Sequence, residues 1–267
     1  MRVPRLLYKN VAPKKKKEKI MPRFFVTADE ISAEQITIKG GDAHHIARSL
    51  RMAEGDEVFV SDGLGTDYLC HLTRIRDEEC IAKIDKVMPS PAESPVRITL
   101  FMAYPKGDKM ETVTQKAVEL GVSAVVPFES SRCIKRPSGD KSEKITTRLS
   151  RIAEEAAKQC GRGLLPLVER ISDTEAVARR IPDFTIALLC YENERTVSIK
   201  EALSAVKLDG EPVTIAVIVG SEGGFSEEEA RRFTEAGAAS VSLGKRILRC
   251  ETAPDYALSA ISYHFEL

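Results

Sequence analysis

Short apolar runs broken by turn residues fill the first third of the chain, and longer runs alternating with amphipathic stretches fill the rest. Between residues 21 and about 90, Phe24-Phe25-Val26, Gln35 to Ile38, Glu57 to Val60, Asp67 to Leu72 and Cys80 to Ile84 are spaced by signals such as Asp62-Gly63-Leu64-Gly65. That spacing predicts a small β-rich domain in the form of a compact barrel. A helix over Asp42 to Arg51 interrupts it, with Asp42 as cap and His44, Arg48 and Arg51 on one face at i, i+4 and i+7. Such a face suits phosphate contacts and suits plain solvation equally. Met88 to Pro95 then carries three prolines in eight residues, which reads as an extended connector and a domain boundary.

From Val96 onward strands and helices alternate, the mark of a mostly parallel sheet. Ile98 to Ala103, Ala124 to Phe128 and Phe184 to Cys190 read as strands, and Lys109 to Leu120 and about Lys141 to Cys160 as helices ended by Gly121 and Gly161. Glu155, Gln159 and Arg162 fall at i, i+4 and i+7 and would share one polar edge, facing a site or solvent.

Val213 to Val219 is β-branched and apolar throughout, as in a strand buried on both faces. It runs into Gly220-Ser221-Glu222-Gly223-Gly224-Phe225, after which Ser226 and Glu229 form a capping-box signature. The pattern recurs with Ser240 to Leu243 as a short strand, Gly244 to Glu251 as a loop, and Thr252 with Asp255 as a second cap ahead of a helix from Ala253 to Phe265. Two such loops side by side at one sheet edge form a ligand-binding layout. The glycine loop is neither G-x-G-x-x-G nor G-x-x-x-x-G-K-[ST], and Glu222 would repel phosphate, so a compact ligand without phosphates is expected. An ordinary tight turn remains the alternative.

Composition adds limits. The 267 residues are 43% hydrophobic, enough for one large or two modest cores, and no apolar run approaches a membrane span or a signal-peptide core. A cytoplasmic location is the default. Six cysteines show no C-x-x-C and no histidine at ligand spacing, so neither a metal site nor a disulfide framework is expected. Net charge is zero, but residues 1–20 hold eight Lys or Arg against Glu18 alone, a charge of +7 that leaves −7 on the remainder. The leader reads as disordered, or as an extension ahead of a true start at Met21. Overall charge gives RNA binding no support, so any basic footprint must be local.

Val219-Gly220-Ser221-Glu222-Gly223-Gly224-Phe225-Ser226 and Leu243-Gly244-Lys245-Arg246-Ile247-Leu248-Arg249-Cys250-Glu251-Thr252-Ala253 together resemble the paired signature of the RsmE family. These are SPOUT-class methyltransferases that act on N3 of a uridine in 16S ribosomal RNA of the small subunit. Ser221 and Cys250 depart from the usual Pro and Thr. The resemblance extends over most of Met21 to Leu267. It implies an α/β fold: an N-terminal PUA-like RNA-binding barrel over 21–90, and a SPOUT methyltransferase domain with a trefoil knot over 96–267.

Further implications of the resemblance are a homodimer and S-adenosylmethionine held by Leu189, Cys190, Tyr191, Val219, Gly220, Glu222, Gly223, Gly224, Leu243, Gly244, Ile247, Leu248 and Thr252. RNA, as part of an assembled small subunit, would meet Arg23, His44, Arg48, Arg51, Arg132 and Arg162. From the apolar runs and the cysteine spacing, neither a membrane nor a metal is expected to take part.

Methylation at N3 requires loss of its proton, which a carboxylate or water could accept, and a cation to stabilise the resulting charge. Arg249 is the candidate cation, with Glu222 and Glu251 as base or orienting groups. A noncatalytic RNA-binding ribosome assembly factor and a nucleotide-dependent enzyme with a doubly wound domain remain open as alternatives.

Overall fold

The alternation in the first third places its apolar side chains on one face of a sheet. Strands β1 (Arg23–Phe25), β2 (Gln35–Lys39), β3 (Glu57–Ser61), β4 (Thr66–Ile75) and β5 (Glu79–Pro89) form a five-stranded sheet in the order β1-β3-β4-β5-β2. Ile36 and Ile38 of β2 and Val58 and Val60 of β3, two residues apart in each strand, turn inward with Phe24, Leu72 and Cys80. β1 pairs parallel to β3 and every other ladder is antiparallel. No ladder between β1 and β2 closes this sheet among the described residues. The computed structural model describes residues 21–134, 140–208, 210 and 212–267, so the basic leader lies outside them.

The helix expected over Asp42 to Arg51 is shorter and of two kinds. α1 (Gly40–His44) passes into a π-helical turn at His45–Ser49, Lys39 is its N-cap, and Arg51 sits outside it at φ 51°. The i, i+4, i+7 face is therefore broken, because a π turn has a longer period than 3.6 residues.

The second sheet has the order β12-β10-β11-β6-β7-β8, with all its ladders parallel. Its strands are β6 (Val96–Ala103), β7 (Ala124–Glu129), β8 (Leu167–Val168), β9 (Ser172–Asp173, which pairs with β7), β10 (Ile186–Cys190), β11 (Val213–Val219) and β12 (Ala239–Val241). β11 lies between β6 and β10 and is almost wholly buried, as its unbroken apolar run requires. Helices α2 (Lys109–Glu119), α3 (Asp140–Cys160), α4 (Thr174–Arg180), α5 (Ile199–Ser204), α6 (Glu227–Glu235) and α7 (Thr252–Glu266) cover it. Their apolar stripes, including Met110 and Val113 of α2 and Leu258 and Ile261 of α7, join the strands in one buried cluster.

The proline-rich segment does not hang free. β5 continues through Pro89, and Glu93 accepts hydrogen bonds from the Gly163 and Leu164 amides at 3.0 and 2.9 Å. Ser61 Oγ donates to the Gly163 carbonyl at 2.7 Å, and Lys158 of α3 pairs with Asp42 at 2.9 Å, so the small sheet is anchored at the end of α3. Gly163 is required there: an added Cβ would lie 2.4 Å from Ser90 Cβ.

Candidate functional site

Three strand ends finish level with one another. Cys190 at the end of β10 pairs in register with Val219 of β11 and with Val241 of β12. Their exit loops converge on a cavity of about 490 Å³. Parallel strands with matched C-terminal ends make this the expected ligand position in an open α/β sheet.

Of the residues expected around a cofactor, Cys190, Tyr191, Val219, Gly220, Glu222, Gly223, Gly224, Leu243, Gly244, Ile247 and Leu248 line the cavity. Leu189 and Thr252 do not. Leu189 has no exposure and points into the core, because side chains alternate along a strand and its neighbour Cys190 takes the cavity side. Thr252 is not a cap. Glu251 is the N-cap of α7, without a side-chain bond, and the Thr252 amide donates to the Arg249 carbonyl at 2.8 Å. Asp255, expected to complete that cap, pairs with Lys116 at 2.9 Å.

The glycines permit close backbone approach. A Cβ on Gly220 would meet the Gly224 backbone at 3.0 Å, and one on Gly223 would meet Arg132 Cβ at 2.9 Å. The Gly224 amide donates to the Ser221 carbonyl at 2.9 Å, closing the turn. Ser226 and Glu229 form the expected capping box on α6. Glu229 also accepts from the Ser131 amide and hydroxyl at 2.6 and 2.7 Å, which ties the loop after β7 to the glycine loop. Ser221 Oγ is buried beside the cavity without a hydrogen-bond partner among the described residues.

One cluster joins the start of α2 to the two signature loops. The Lys109 ammonium, at the start of α2, lies 3.0 Å from Glu222 and 3.2 Å from Glu251. The Lys106 amide donates to both Glu222 oxygens at 3.1 and 3.2 Å, and Cys250 Sγ donates to Glu251 at 3.2 Å. Burial works to raise the Glu222 carboxyl, but the donors from Lys109 and the backbone outweigh it and hold it low. Glu251 is held low chiefly by its own backbone N–H, with Cys250 and Lys109 adding to it. Lys109 is raised by its bonds to the two carboxylates. Burial, then the adjoining Glu251, pushes the Cys250 thiol up to about 12. Both carboxylates thus already engage several donors, an arrangement that suits orienting groups.

Arg249 lines the cavity, and its exposed guanidinium makes no hydrogen bond among the described residues. Its backbone carbonyl accepts the first amides of α7, from Thr252 and Ala253 at 2.8 and 2.9 Å. The backbone thus braces the loop while the side chain stays available.

The residues expected to meet RNA separate into two groups. His44, Arg51 and Arg132 are exposed, with Arg132 donating to the Gly223 carbonyl at 2.9 Å beside the cavity. Arg48 is exposed but paired with Asp77. Arg23 is turned inward: it is bidentate to the buried Asp67 and lies 5.2 Å over the Phe59 ring. Arg162, 3% exposed, donates to the Val118 and Val122 carbonyls at 3.0 and 2.7 Å and to Glu93 at 2.8 Å. The shared edge expected of Glu155, Gln159 and Arg162 is absent, because the helix ends at Cys160 and the chain turns Arg162 inward.

Lys109, Glu192, Arg195, Ser221, Ser242, Arg246, Cys250 and Ala253 also line the cavity and were not among the expected contacts. Ser221, Arg246, Cys250 and Ala253 lie within the two signature stretches, so reading the loops whole would have included them. Lys109 is more than a hundred positions from Glu222, and only the fold brings them together. Among the described residues no cluster of three or more His, Cys, Asp or Glu could hold a metal, and no helix is long and apolar enough to cross a membrane.

Residues 92–262 match the family model of an RNA methyltransferase domain, and residues 38–85 that of an RNA methyltransferase PUA domain. The chain is similar to ribosomal RNA small subunit methyltransferase E of Bacillus subtilis, at 34% identity over 92% of this chain and 98% of that protein. Its counterpart from Synechocystis is 32% identical over 90% of this chain and 77% of its own length. Among solved structures, a ribosomal RNA small subunit methyltransferase E from Neisseria gonorrhoeae bound to S-adenosyl methionine superposes with a TM-score of 0.76 at 31% identity, covering 91% of this chain and 97% of that one. Matched almost end to end in sequence and in fold, the chain belongs to the ribosomal RNA small subunit methyltransferase E family.

Proposed function

We propose that this protein transfers a methyl group from S-adenosylmethionine to N3 of a uridine in 16S ribosomal RNA. The observation that carries the reading is the convergence of three level strand ends on one cavity, within the range of roughly 300–1,000 Å³ usual for small-molecule sites. The residues present fit the cofactor. The glycine turn lets backbone approach closely, the buried Ser221 hydroxyl has a hydrogen bond to give, and the carboxylates disfavour a phosphate-bearing ligand.

When bound, the cofactor supplies an electrophilic methyl group on a sulfonium. Leu243, Ile247 and Leu248 offer it apolar contact, and the loops after β10 and β11 fix its orientation, which is much of the catalysis a methyl transfer needs. The N3 proton leaves to solvent at the cavity mouth, while Glu222 and Glu251, engaged by Lys109, the Lys106 amide and Cys250, orient the site. Arg249 stabilises the charge that spreads onto the carbonyl oxygens beside N3.

Residues 21–90 act as the PUA-like RNA-binding domain and 96–267 as the methyltransferase domain, whose last segment passes through a loop to form a trefoil knot. His44, Arg51 and Arg132 offer cations to phosphate, with Arg48 partly neutralised by Asp77. The enzyme works in the cytoplasm as a homodimer on the assembled small subunit.

Mass spectrometry of 16S ribosomal RNA from a strain lacking the gene tests this reading. One N3-methyluridine should disappear and return with the intact gene, but not with an Arg249→Ala copy. Unchanged methylation in the deletion strain would overturn the activity and favour a binding role.

A further inference from the structure

Resting on the methyltransferase reading above, we infer that the Lys109, Glu222 and Glu251 cluster discriminates the sulfonium cofactor from its uncharged thioether product by the cluster's local charge of −1. The three groups come from the start of α2 and from the loops after β11 and β12, all line the cavity, and are joined through Lys109 at 3.0 and 3.2 Å. Their side chains retain 35%, 30% and 25% exposure, so water screens them only in part.

The charge count depends on the ammonium. Two carboxylates alone would set −2 beside the ligand and repel each other, whereas Lys109 reduces this to −1 and holds both in place. Glu192, Arg195, Arg246 and Arg249 also line the cavity, but none of the four is ion-paired with the cluster among the described residues, so the cluster's charge changes only with its own three members. The substrate carries a permanent positive charge at sulfur, and methyl transfer removes it. A wall of local negative charge thus binds the reactant more tightly than the product and favours release after transfer.

The assignment predicts opposite signs for opposite charge changes. Glu251→Gln makes the cluster neutral and should lower the preference for S-adenosylmethionine over S-adenosylhomocysteine. Lys109→Met leaves two bare carboxylates and should raise it. Each change should move the ratio of the two Kd values by about fivefold, on the order of the interaction of one unit charge with another at intermediate dielectric. Glu222→Gln should follow Glu251→Gln. Lys109→Arg keeps the charge and should keep the ratio, even where absolute affinity falls.

Calorimetric titration of the full chain with each ligand, at neutral pH and fixed salt, reads these ratios without any turnover. Opposed shifts in the Lys109→Met and Glu251→Gln proteins support the assignment. A ratio that stays fixed in both, with affinities for both ligands falling together, overturns it and leaves the cluster as a structural brace. Failure of the unaltered protein to bind either ligand would instead overturn the methyltransferase reading on which it rests.

Discussion

The Arg162 guanidinium reaches back across 69 residues to the Glu93 carboxylate, 2.8 Å away, from a position where only 4% of its side chain meets solvent. It also spans the Val118 and Val122 carbonyls, so one side chain joins the end of α2, the segment after α3 and the connector between the two sheets. Arg162→Ala should cost about 3 kcal/mol, because it strands a half-buried carboxylate and two buried carbonyls. Urea unfolding reads this directly. A change in RNA affinity without a loss of stability would return Arg162 to the nucleic-acid surface.

Gly224 and Glu192 are fitted to each other. At φ 62° an added Cβ on Gly224 would lie 1.9 Å from Glu192 Oε1. Gly224→Ala should therefore weaken S-adenosylmethionine binding by about tenfold and cost roughly 1–2 kcal/mol of stability through left-handed backbone strain. Adding Glu192→Ala should relieve the clash but not the φ strain, so the double variant should recover only part of the loss. Titration calorimetry and thermal melts on the three variants separate the two contributions.

The elements with strong local signals were legible in the sequence. β11 announces itself by an unbroken apolar run, α6 by the Ser226–Glu229 capping box, and the cavity loops by glycines beside a carboxylate. Where legibility failed, distant partners decided the outcome. Arg23 and Arg162 look like surface cations until Asp67 and Glu93 are placed beside them. Thr252 and Asp255 have cap spacing, but Asp255 is drawn to Lys116, 139 positions away. The π turn at His45–Ser49 has no compositional signature, and it breaks the expected basic face together with the left-handed Arg51 beyond it. Helix α5 does carry a capping box at Ser198 and Glu201, a local signal that could have found it.

Glu229 links the loop after β7 to the start of α6. Burial pushes its carboxyl up, but donors from Ser131 and Ser226 outweigh this and hold it below the ordinary value of 4.5. A group lowered in the folded state adds stability that is present above its unfolded pKa and lost as pH falls through the folded one. Glu229→Gln should thus cost about 1–3 kcal/mol at neutral pH, since its amide NH₂ faces donors. The gap between the two proteins should close as pH falls below that ordinary value. Thermal melts across pH decide it, and a constant gap would show that ionisation of Glu229 is immaterial.

Helix α7 buries Ala257, Leu258 and Ile261 against the sheet, yet Tyr256 is 42% and Tyr263 74% exposed. Aromatic side chains left outward on a terminal helix fit a surface covered by a second copy of the chain. Light scattering at micromolar concentration should give a dimer. Tyr263→Glu should weaken it by roughly thirtyfold, as for loss of one aromatic anchor. A monomeric unaltered protein would count against the dimer.

Arg249 carries the mechanistic prediction. Its carbonyl, not its guanidinium, holds the first turn of α7, so removing the side chain should leave the loop intact. Arg249→Ala should keep S-adenosylmethionine affinity within a few-fold while the single-turnover methylation rate falls about a hundredfold, the scale of losing one preorganised electrostatic donor. Arg249→Lys should recover little, because a point charge cannot reproduce a planar fork that reaches two acceptors. Arg51→Ala should differ in kind: RNA affinity and its salt dependence should fall while the rate at saturating RNA holds. Cofactor titration into the Arg249→Ala protein is the deciding measurement. A large loss of affinity there, with a matching fall in thermal stability, would make Arg249 a brace for the loop and remove it from the chemistry.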